Sequence, residues 1–466
     1  RYHLDEHEAT IPIFDFSIFH VKEQMGNTND KGGILDPLGA LFPQPQQDAV
    51  RTQKEDKKVR AKDELSHAAF HGREHEVRAI LNGDRYHLDE HDNDLNTPVH
   101  WAALKSQYVI LALLLEKNFN ANRKNKDGDT PLHFACSAGF AEGVKKLVEY
   151  KAEVWVKNHK RALPLHFAVA SGDPEIVTTL LSCGTREEIG KNVNFSTKVG
   201  DTPLHWAAAK VGSAPIIKLL LEKKANVNVC NRDIRITPLH AACAAGDVAV
   251  VRLLLGALAD VEMANRELET PIFWAVAGGN RSTLAALLEA KANPSAANAL
   301  TESPMHLAVM KGDAAMVEML FQNGADPNSQ TKSKDTCLHL AVVRSDYHMA
   351  SKLLSLGRTP QEVLNGTGES VTRVATENSS GDSPLHTACC VGDMGLIQLL
   401  CKHKAVIEFK NSNDETPLHW AASAGMPSVV RFLIQRGAHA NLRSKTGKTP
   451  LDLAPDDETR HALTTS

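Results

Sequence analysis

Short apolar and polar stretches follow one another in a fixed order along most of the chain. Small residues, as in "HWAASAG" (419–425), come first, and after a glycine comes a Leu- and Val-rich stretch such as "VVRLLLGALA" (250–259). A polar stretch such as "ADPNSQ" (325–330) then leads to the next copy. Each copy predicts two helices, because the glycine stands where a helix must end and the chain must reverse.

A tetrapeptide of the form TPLH opens each copy, and we call it the anchor. Its Thr or Ser caps a helix, and its Pro suits the first helical turn, where a missing N–H costs nothing. The anchors begin at Thr97, Thr130, Leu163, Thr202, Thr237, Thr270, Ser303, Thr336, Ser383, Thr416 and Thr449, after a degenerate copy at Asp63. The steps between them are 34, 33, 33, 39, 35, 33, 33, 33, 47, 33 and 33 residues. Such regular spacing indicates a repeat array.

The T-P-L-H-x-A pattern and the 33-residue period resemble the ankyrin repeat family over about 400 residues. The resemblance implies an all-α fold, an α-solenoid of about twelve helix-turn-helix repeats with β-hairpin fingers between them. Repeats must stack, because one helix pair cannot bury its apolar face alone. The resemblance also implies that the anchor histidines brace loops by hydrogen bonds and that the aromatic residues after them pack between repeats. These histidines are His100, His133, His166, His205, His240, His306, His339, His386 and His419.

Three segments depart from the repeat. Residues 1–62 precede the array at 63–466 and are rich in Gly, Pro, Asn and Gln, and we expect them to extend along the array or a partner. The 39-residue step adds residues within 182–201, which predicts one lengthened finger. The 47-residue step adds residues within 356–382, where Thr359-Pro-Gln-Glu has the form of a capping box and predicts a short extra helix. Each insertion is either part of a binding face or a tolerated surface loop.

Composition and charge narrow the class of protein. The net charge of −4 provides no basic field for nucleic acid, and no stretch reaches 18 apolar residues, so we expect no membrane insertion. The 8 cysteines include no C-x-x-C pair, which favours reduced, packed thiols in an intracellular, cytoplasmic protein. Association with the cytoskeleton or with a complex stays open. The chain begins with Arg1 rather than Met, so an upstream segment or a removed targeting signal also stays open.

The heptapeptide RYHLDEH occurs at 1–7 and again at 85–91, and it contains the H-x-x-E-H pattern of inverted zinc metalloproteases. That chemistry needs both histidines on one face of a helix. The second copy ends six residues before Thr97, where the resemblance implies a finger, and no sustained amphipathic helix follows the first copy. We therefore expect no metal, no cofactor and no catalytic residue. Duplication of a finger and an artificial origin of the first residues both stay open as explanations of the repeat.

Basic residues are in excess on the predicted fingers two to five. The bases are Arg123, Lys124, Lys126, Lys157, Lys160, Arg161, Lys198, Arg232 and Arg235, and the acids are Asp127, Asp129, Asp201 and Asp233, which gives +5. Such a ridge either attracts an acidic partner or is merely solvated surface. In the family, finger tips and the first helices face the binding groove. The predicted partner-binding residues are Lys105, Lys126, Asp127, His159, Lys160, Arg161, Lys198, Lys210 and Asp233.

These patterns predict a non-enzymatic scaffold or adaptor that binds other proteins as a subunit of a larger intracellular assembly. The alternative is the targeting or substrate-recruiting ankyrin region of a larger enzyme, whose catalytic domain would lie outside this chain.

Overall fold

The computed structural model describes residues 64–83, 86–357 and 373–465. The chain forms two compact units, one ending at Cys183 and the other beginning at Gly184. All regular secondary structure in the described ranges is helical, as the fold class predicts. The N-terminal segment 1–62 and the short helix predicted at Thr359 lie outside the described residues.

The described residues of the first unit form four helix pairs, each made of a first helix after the anchor and a second helix that returns beside it. First helices pack on the first helices of the next repeat, and second helices pack on second helices. The pairs are α1 Glu64–Phe70 and α2 Glu74–Asn82, α3 Pro98–Leu104 and α4 Tyr108–Glu116, α5 Pro131–Ser137 and α6 Ala141–Glu149, and α7 Pro164–Ser171 and α8 Pro174–Leu181.

In its described residues, the second unit begins with a single helix, α9 Arg186–Val193, and continues with eight pairs. The first four pairs are α10 Pro203–Ala208 and α11 Ala214–Glu222, α12 Pro238–Ala245 and α13 Val248–Gly256, α14 Pro271–Ala277 and α15 Arg281–Glu289, and α16 Pro304–Lys311 and α17 Ala314–Gln322. The last four are α18 Cys337–Val343 and α19 Tyr347–Ser355, α20 Pro384–Val391 and α21 Met394–Lys402, α22 Pro417–Ser423 and α23 Pro427–Gln435, and α24 Pro450–Leu453 and α25 Asp457–Thr464.

The anchor starts each first helix by the route that its sequence predicts. Thr130 has an extended backbone, with φ −100° and ψ 165°, and Pro131 occupies the first turn. At the other end of a first helix, Gly172 adopts φ +84°, a left-handed conformation that glycine reaches without the steric cost of a Cβ. Asp173 then caps the second helix by accepting the backbone N–H of Glu175. About ten residues of each repeat thus contain the signals that begin the first helix, reverse the chain and begin the second helix.

The core consists of small residues on the first helices and branched residues on the second. Leu132 and Ala135 of α5 and Val144 and Leu147 of α6 are fully buried. Burying each such leucine contributes about 1.5–3 kcal/mol, and the alanines allow neighbouring first helices to approach closely. None of the cysteines, all of which lie in the described ranges, forms a disulfide.

The fingers are hydrogen-bonded turns rather than β-hairpins in the described residues. In the finger before α5, the N–H of Asn125 donates to the carbonyl oxygen of Asp129 at 2.9 Å, and the N–H of Gly128 donates back to Asn125 at 3.0 Å. One further backbone bond, from Lys126 to Asp94 at 2.9 Å, joins this finger to the preceding one. A single bond between neighbouring fingers is too little for a strand ladder.

The insertion within 182–201 forms a helix instead of a longer finger. Thr185 caps α9 by accepting the N–H of Glu188, while the Glu188 carboxylate accepts the N–H of Thr185 at 2.9 Å. Ile189 and Val193 bury the apolar side of the helix. The expectation of a lengthened finger was wrong, because these residues contain a complete capping box and two core side chains.

Candidate partner-binding surface

The anchor histidines are buried structural groups. In the third repeat, His133 Nδ1 accepts the backbone N–H of Thr130 at 3.1 Å, and its Nε2 donates to the carbonyl oxygen of Ala162 at 3.3 Å. His100, His205, His240, His339, His386 and His419 make the same two kinds of contact. Each of these seven rings joins its own anchor to the loop before the next anchor, which confirms the family-based expectation for them. His306 differs, because its buried Nε2 has no hydrogen-bond partner in the described residues.

Burial keeps these rings neutral. Loss of hydration lowers the pKa of His133 to about 3 and that of His100 to about 4, although the bonds to backbone carbonyls act in the opposite direction. Because Nδ1 accepts a backbone N–H, the proton of the neutral ring lies on Nε2. A ring with both nitrogens engaged and a pKa near 3 or 4 is unsuited to acid–base work at neutral pH.

An aromatic row follows the first helices of the first unit and consists of Phe70, Trp101, Phe134 and Phe167, each of them half-buried. Phe70 and Trp101 meet edge to face at 5.1 Å, and Trp101 and Phe134 meet in the same way at 6.4 Å. Trp101 Nε1 donates to Asp92 Oδ2 at 3.2 Å, so the row lies where the first helices adjoin the fingers. The rings pack between repeats, as the sequence predicts, and keep part of their surface accessible.

The second finger, 119–129, is largely neutralised by the first finger, 86–96. Lys126 Nζ lies 3.5 Å from Asp94 Oδ1, and Arg123 Nη1 lies 3.4 Å from Asp89 Oδ1. Asp127 is exposed at the tip, and its carbonyl accepts the N–H of His159 at 2.8 Å. The predicted basic ridge omitted the first finger, whose acids stand about one period before these bases and could have been found from the sequence.

The third finger, 152–162, carries several exposed basic groups. Lys157, His159 and Lys160 are exposed there. Within the described ranges neither lysine has a carboxylate oxygen within 4.0 Å. The nearby Asp129 is half-buried and accepts a hydrogen bond from Asn158 Nδ2 at 2.8 Å, and burial raises its pKa to about 6. Near neutral pH this acid is still largely ionised, so it offsets part of the charge of Lys160.

Two other predicted residues of the first unit differ in their surroundings. Lys105 follows α3, and its Nζ lies 4.4 Å from the centre of the Phe70 ring, so it joins a basic group to one end of the aromatic row. Arg161 is half-buried and adopts φ +61° at the tip of its finger. Its guanidinium is therefore less available to a partner than the sequence pattern suggests.

The remaining predicted residues belong to the second unit. Lys198 and Asp233 are exposed on fingers, and Lys210 is half-buried after α10. The nine predicted residues are thus divided between the units, with Lys105, Lys126, Asp127, His159, Lys160 and Arg161 in the first. Lys157 belongs to the predicted basic ridge but not to the predicted partner-binding residues. Because its side chain is exposed, it is available to a partner.

The heptapeptide with the metalloprotease pattern lies in the first finger. Its described residues form a turn, in which Glu90 donates its backbone N–H to the carbonyl oxygen of His87 at 3.0 Å. The two histidines are therefore not presented on one helix. The described ranges contain no group of three or more His, Cys, Asp or Glu side chains that could hold a metal ion. None of their helices is both long and apolar enough to cross a lipid bilayer.

Comparison with known proteins identifies the repeat. A family model for ankyrin repeats (3 copies) matches residues 65–158, 155–233, 204–298, 272–365, 305–411 and 361–444, well over half of the chain. A stretch of 55 residues is 40% identical to an ankyrin repeat protein of Fowlpox virus (strain NVSL), covering 12% of this chain and 11% of that protein. The chain thus matches about a tenth of the length of this relative.

Two solved structures are also similar to parts of the chain. The human ASB11 ankyrin repeat domain is 28% identical, with a TM-score of 0.43, over 48% of this chain and 96% of that domain. The ankyrin repeat domain of Bcl-3, a member of the IkappaB protein family, is 25% identical, with a TM-score of 0.43, over 49% of this chain and 98% of that domain.

Proposed function

Since this chain belongs to the ankyrin repeat family, we propose that it is a non-enzymatic scaffold or adaptor that binds other proteins through its first unit. Ankyrin repeats are generally protein–protein interaction modules, and the family is typically non-catalytic. The binding face consists of the aromatic row, Lys105 and the third finger. The protein acts as a subunit of an intracellular, cytoplasmic assembly.

The exposed pair Lys157 and Lys160, beside an accessible aromatic row, is the observation that carries the proposal. Phe167 of the row contacts the His133 ring at 5.5 Å, and His133 bonds to Ala162 of the third finger. The aromatic row is therefore connected to the finger that carries the exposed Lys157 and Lys160. Interfaces draw their affinity from such aromatic surface, while charge at the rim mainly raises the association rate. The partner accordingly presents acidic side chains around an apolar centre.

The strongly perturbed titratable groups favour a binding role over a catalytic one. Seven of the anchor histidines, His133 among them, have both ring nitrogens engaged by backbone groups, and the half-buried Asp129 is held by Asn158. The alternative is that this chain is the recruiting region of a larger enzyme. The binding face would then serve the same purpose, and the reaction would take place on another domain.

Affinity capture with the intact chain tests the proposal. We compare the variant Lys157→Gln/Lys160→Gln with Lys117→Gln/Lys151→Gln, which removes two exposed lysine charges of the same unit at the ends of α4 and α6. We expect the first variant to lose most of the captured partner and the second to retain it, with equal melting temperatures. Equal capture by both variants would place the contact elsewhere.

A further inference from the structure

The N-terminal segment of this chain has the composition that the proposed binding face would accept. Residues 1–50 contain eight acids and three bases, a net charge of −5, in a protein whose total is −4. They also contain the apolar runs "IPIFDFSIF" (11–19) and "ILDPLGALF" (34–42). Acidic residues interspersed with aromatic and aliphatic ones complement a surface of half-buried rings bordered by lysines.

The repeated heptapeptide shows what part of this segment can do on such a surface. Residues 2–7 are identical to 86–91. In the second copy, Tyr86 stacks on Phe119 at 5.6 Å, and Asp89 lies 3.4 Å from Arg123. The same sequence thus places a tyrosine on an aromatic ring and an aspartate on a basic group of a neighbouring finger. The first copy carries the same pair of groups, Tyr2 and Asp5.

Chain length permits the segment to reach the face. Residues 51–63 connect residue 50 to α1, which ends at Phe70, the first ring of the aromatic row. Thirteen residues span at most about 45 Å. Neighbouring helices pack about 8–10 Å apart, so four first helices extend over roughly 30 Å. Every ring of the row therefore lies within reach.

We propose that residues 1–50 occupy the aromatic row and the Lys105, Lys157 and Lys160 side chains of the same molecule. The apolar runs lie on the accessible ring surfaces, and the carboxylates face the lysines. Because this face is also the proposed partner site, the inference rests on the proposed function for its consequence: the segment competes with the partner. The competition is intramolecular, so its effective concentration is in the millimolar range and a weak contact suffices to occupy the face.

Zero-length carbodiimide cross-linking of the full chain tests this proposal, since the reagent joins a carboxylate to a lysine amine only where the two touch. Mixing unlabelled and ¹⁵N-labelled chains separates links within one molecule from links between two. We expect links within one molecule from Asp5, Glu6, Glu8 or Asp15 to Lys105, Lys157 and Lys160. Replacing Phe14, Phe16 and Phe19 by Ser leaves every charge in place and should reduce these links at least about fivefold.

Three results would overturn the proposal. Links confined to Lys54, Lys57, Lys58 and Lys62 would show that the segment pairs only with its own basic connection to the array. Links between two molecules would make a second copy the occupant. Equal linking to the control residues Lys117 and Lys151, unchanged by the Phe→Ser variant, would show that the acidic segment links to any lysine within its reach and does not occupy the face.

The outcome is separable from that of the proposed function. If no links to the face form but Lys157→Gln/Lys160→Gln still loses the partner, the face binds an external protein and the segment does not dock. If the links form but capture is insensitive to that variant, the segment docks and the partner site lies elsewhere.

Discussion

His133 donates a hydrogen bond from Nε2 to the carbonyl oxygen of Ala162, 29 residues further along the chain, at 3.3 Å. The bond crosses from one repeat to the next and satisfies a carbonyl at the point where a finger returns to a helix. Stability in a repeat array depends on such nearest-neighbour terms. The anchor histidine is therefore a connector between repeats as well as a cap for its own helix.

Replacing His133 by Leu should destabilise the protein by about 2–4 kcal/mol, because buried backbone groups at Thr130 and Ala162 lose their partners. Urea denaturation of the full chain measures this change. His159→Leu is the matched control, since His159 is exposed on the third finger. Equal midpoints for the two variants would contradict the connecting role.

Stability should fall as the pH is lowered from about 6.5 towards 4. The pKa of His100, His205 and His240 is lowered to about 4 by burial, from 6.5 when unfolded. Between pH 6.5 and about 4 these histidines bind protons in the unfolded chain but not in the folded chain, so acid favours unfolding. The histidine contribution is complete above pH 6.5 and is lost progressively below it. Denaturation midpoints at pH 7.0, 5.5 and 4.5 measure the slope.

Buried carboxyls act in the opposite sense and supply the control. Burial raises the pKa of Asp129 to about 6, from 3.8, so the folded chain takes up this proton first and gains stability as the pH falls between these values. Asp129→Asn removes that compensation, so its midpoint should decline more steeply below pH 6 than that of the parent. His133→Leu should decline less steeply. Identical slopes in all three proteins would refute these assignments.

Two adjacent leucines separate core from surface in α13. Leu254 is fully buried, whereas Leu253 is half-exposed, so the residue that faces the core is the second of the two. Leu254→Asp should bury an unpaired carboxyl and cost about 3–5 kcal/mol, while Leu253→Asp should cost about 1 kcal/mol or less. Thermal unfolding distinguishes them. A larger loss at Leu253 would mean that the helix is rotated from its described orientation.

The sequence predicted the repeats well because their period and their caps are local signals. The anchor threonine, proline and histidine act within one helical turn, so their spacing alone predicts the helix start. The helix α9 was missed although Thr185 and Glu188 form a capping box, because an insertion between anchors was interpreted as loop. The pairing of Lys126 with Asp94 was missed for a different reason. The pair joins side chains of two neighbouring fingers, about one repeat apart in sequence. Counting the charges of each finger separately does not show which side chains of two fingers are in contact.

The difference between Lys126 and Lys160 gives the last prediction. Lys126 is paired with Asp94, so Lys126→Glu removes a charge that is already offset and places a carboxylate beside another acid. Lys160→Glu reverses a charge that no carboxylate contacts within the described ranges. We expect Lys160→Glu to slow association with the partner about threefold to tenfold at low salt and Lys126→Glu to slow it less. Both effects should shrink at 0.5 M salt, where exposed charges are screened within about 4 Å. Surface plasmon resonance with the captured partner measures these rates, and a larger effect of Lys126→Glu would move the basic site to the second finger.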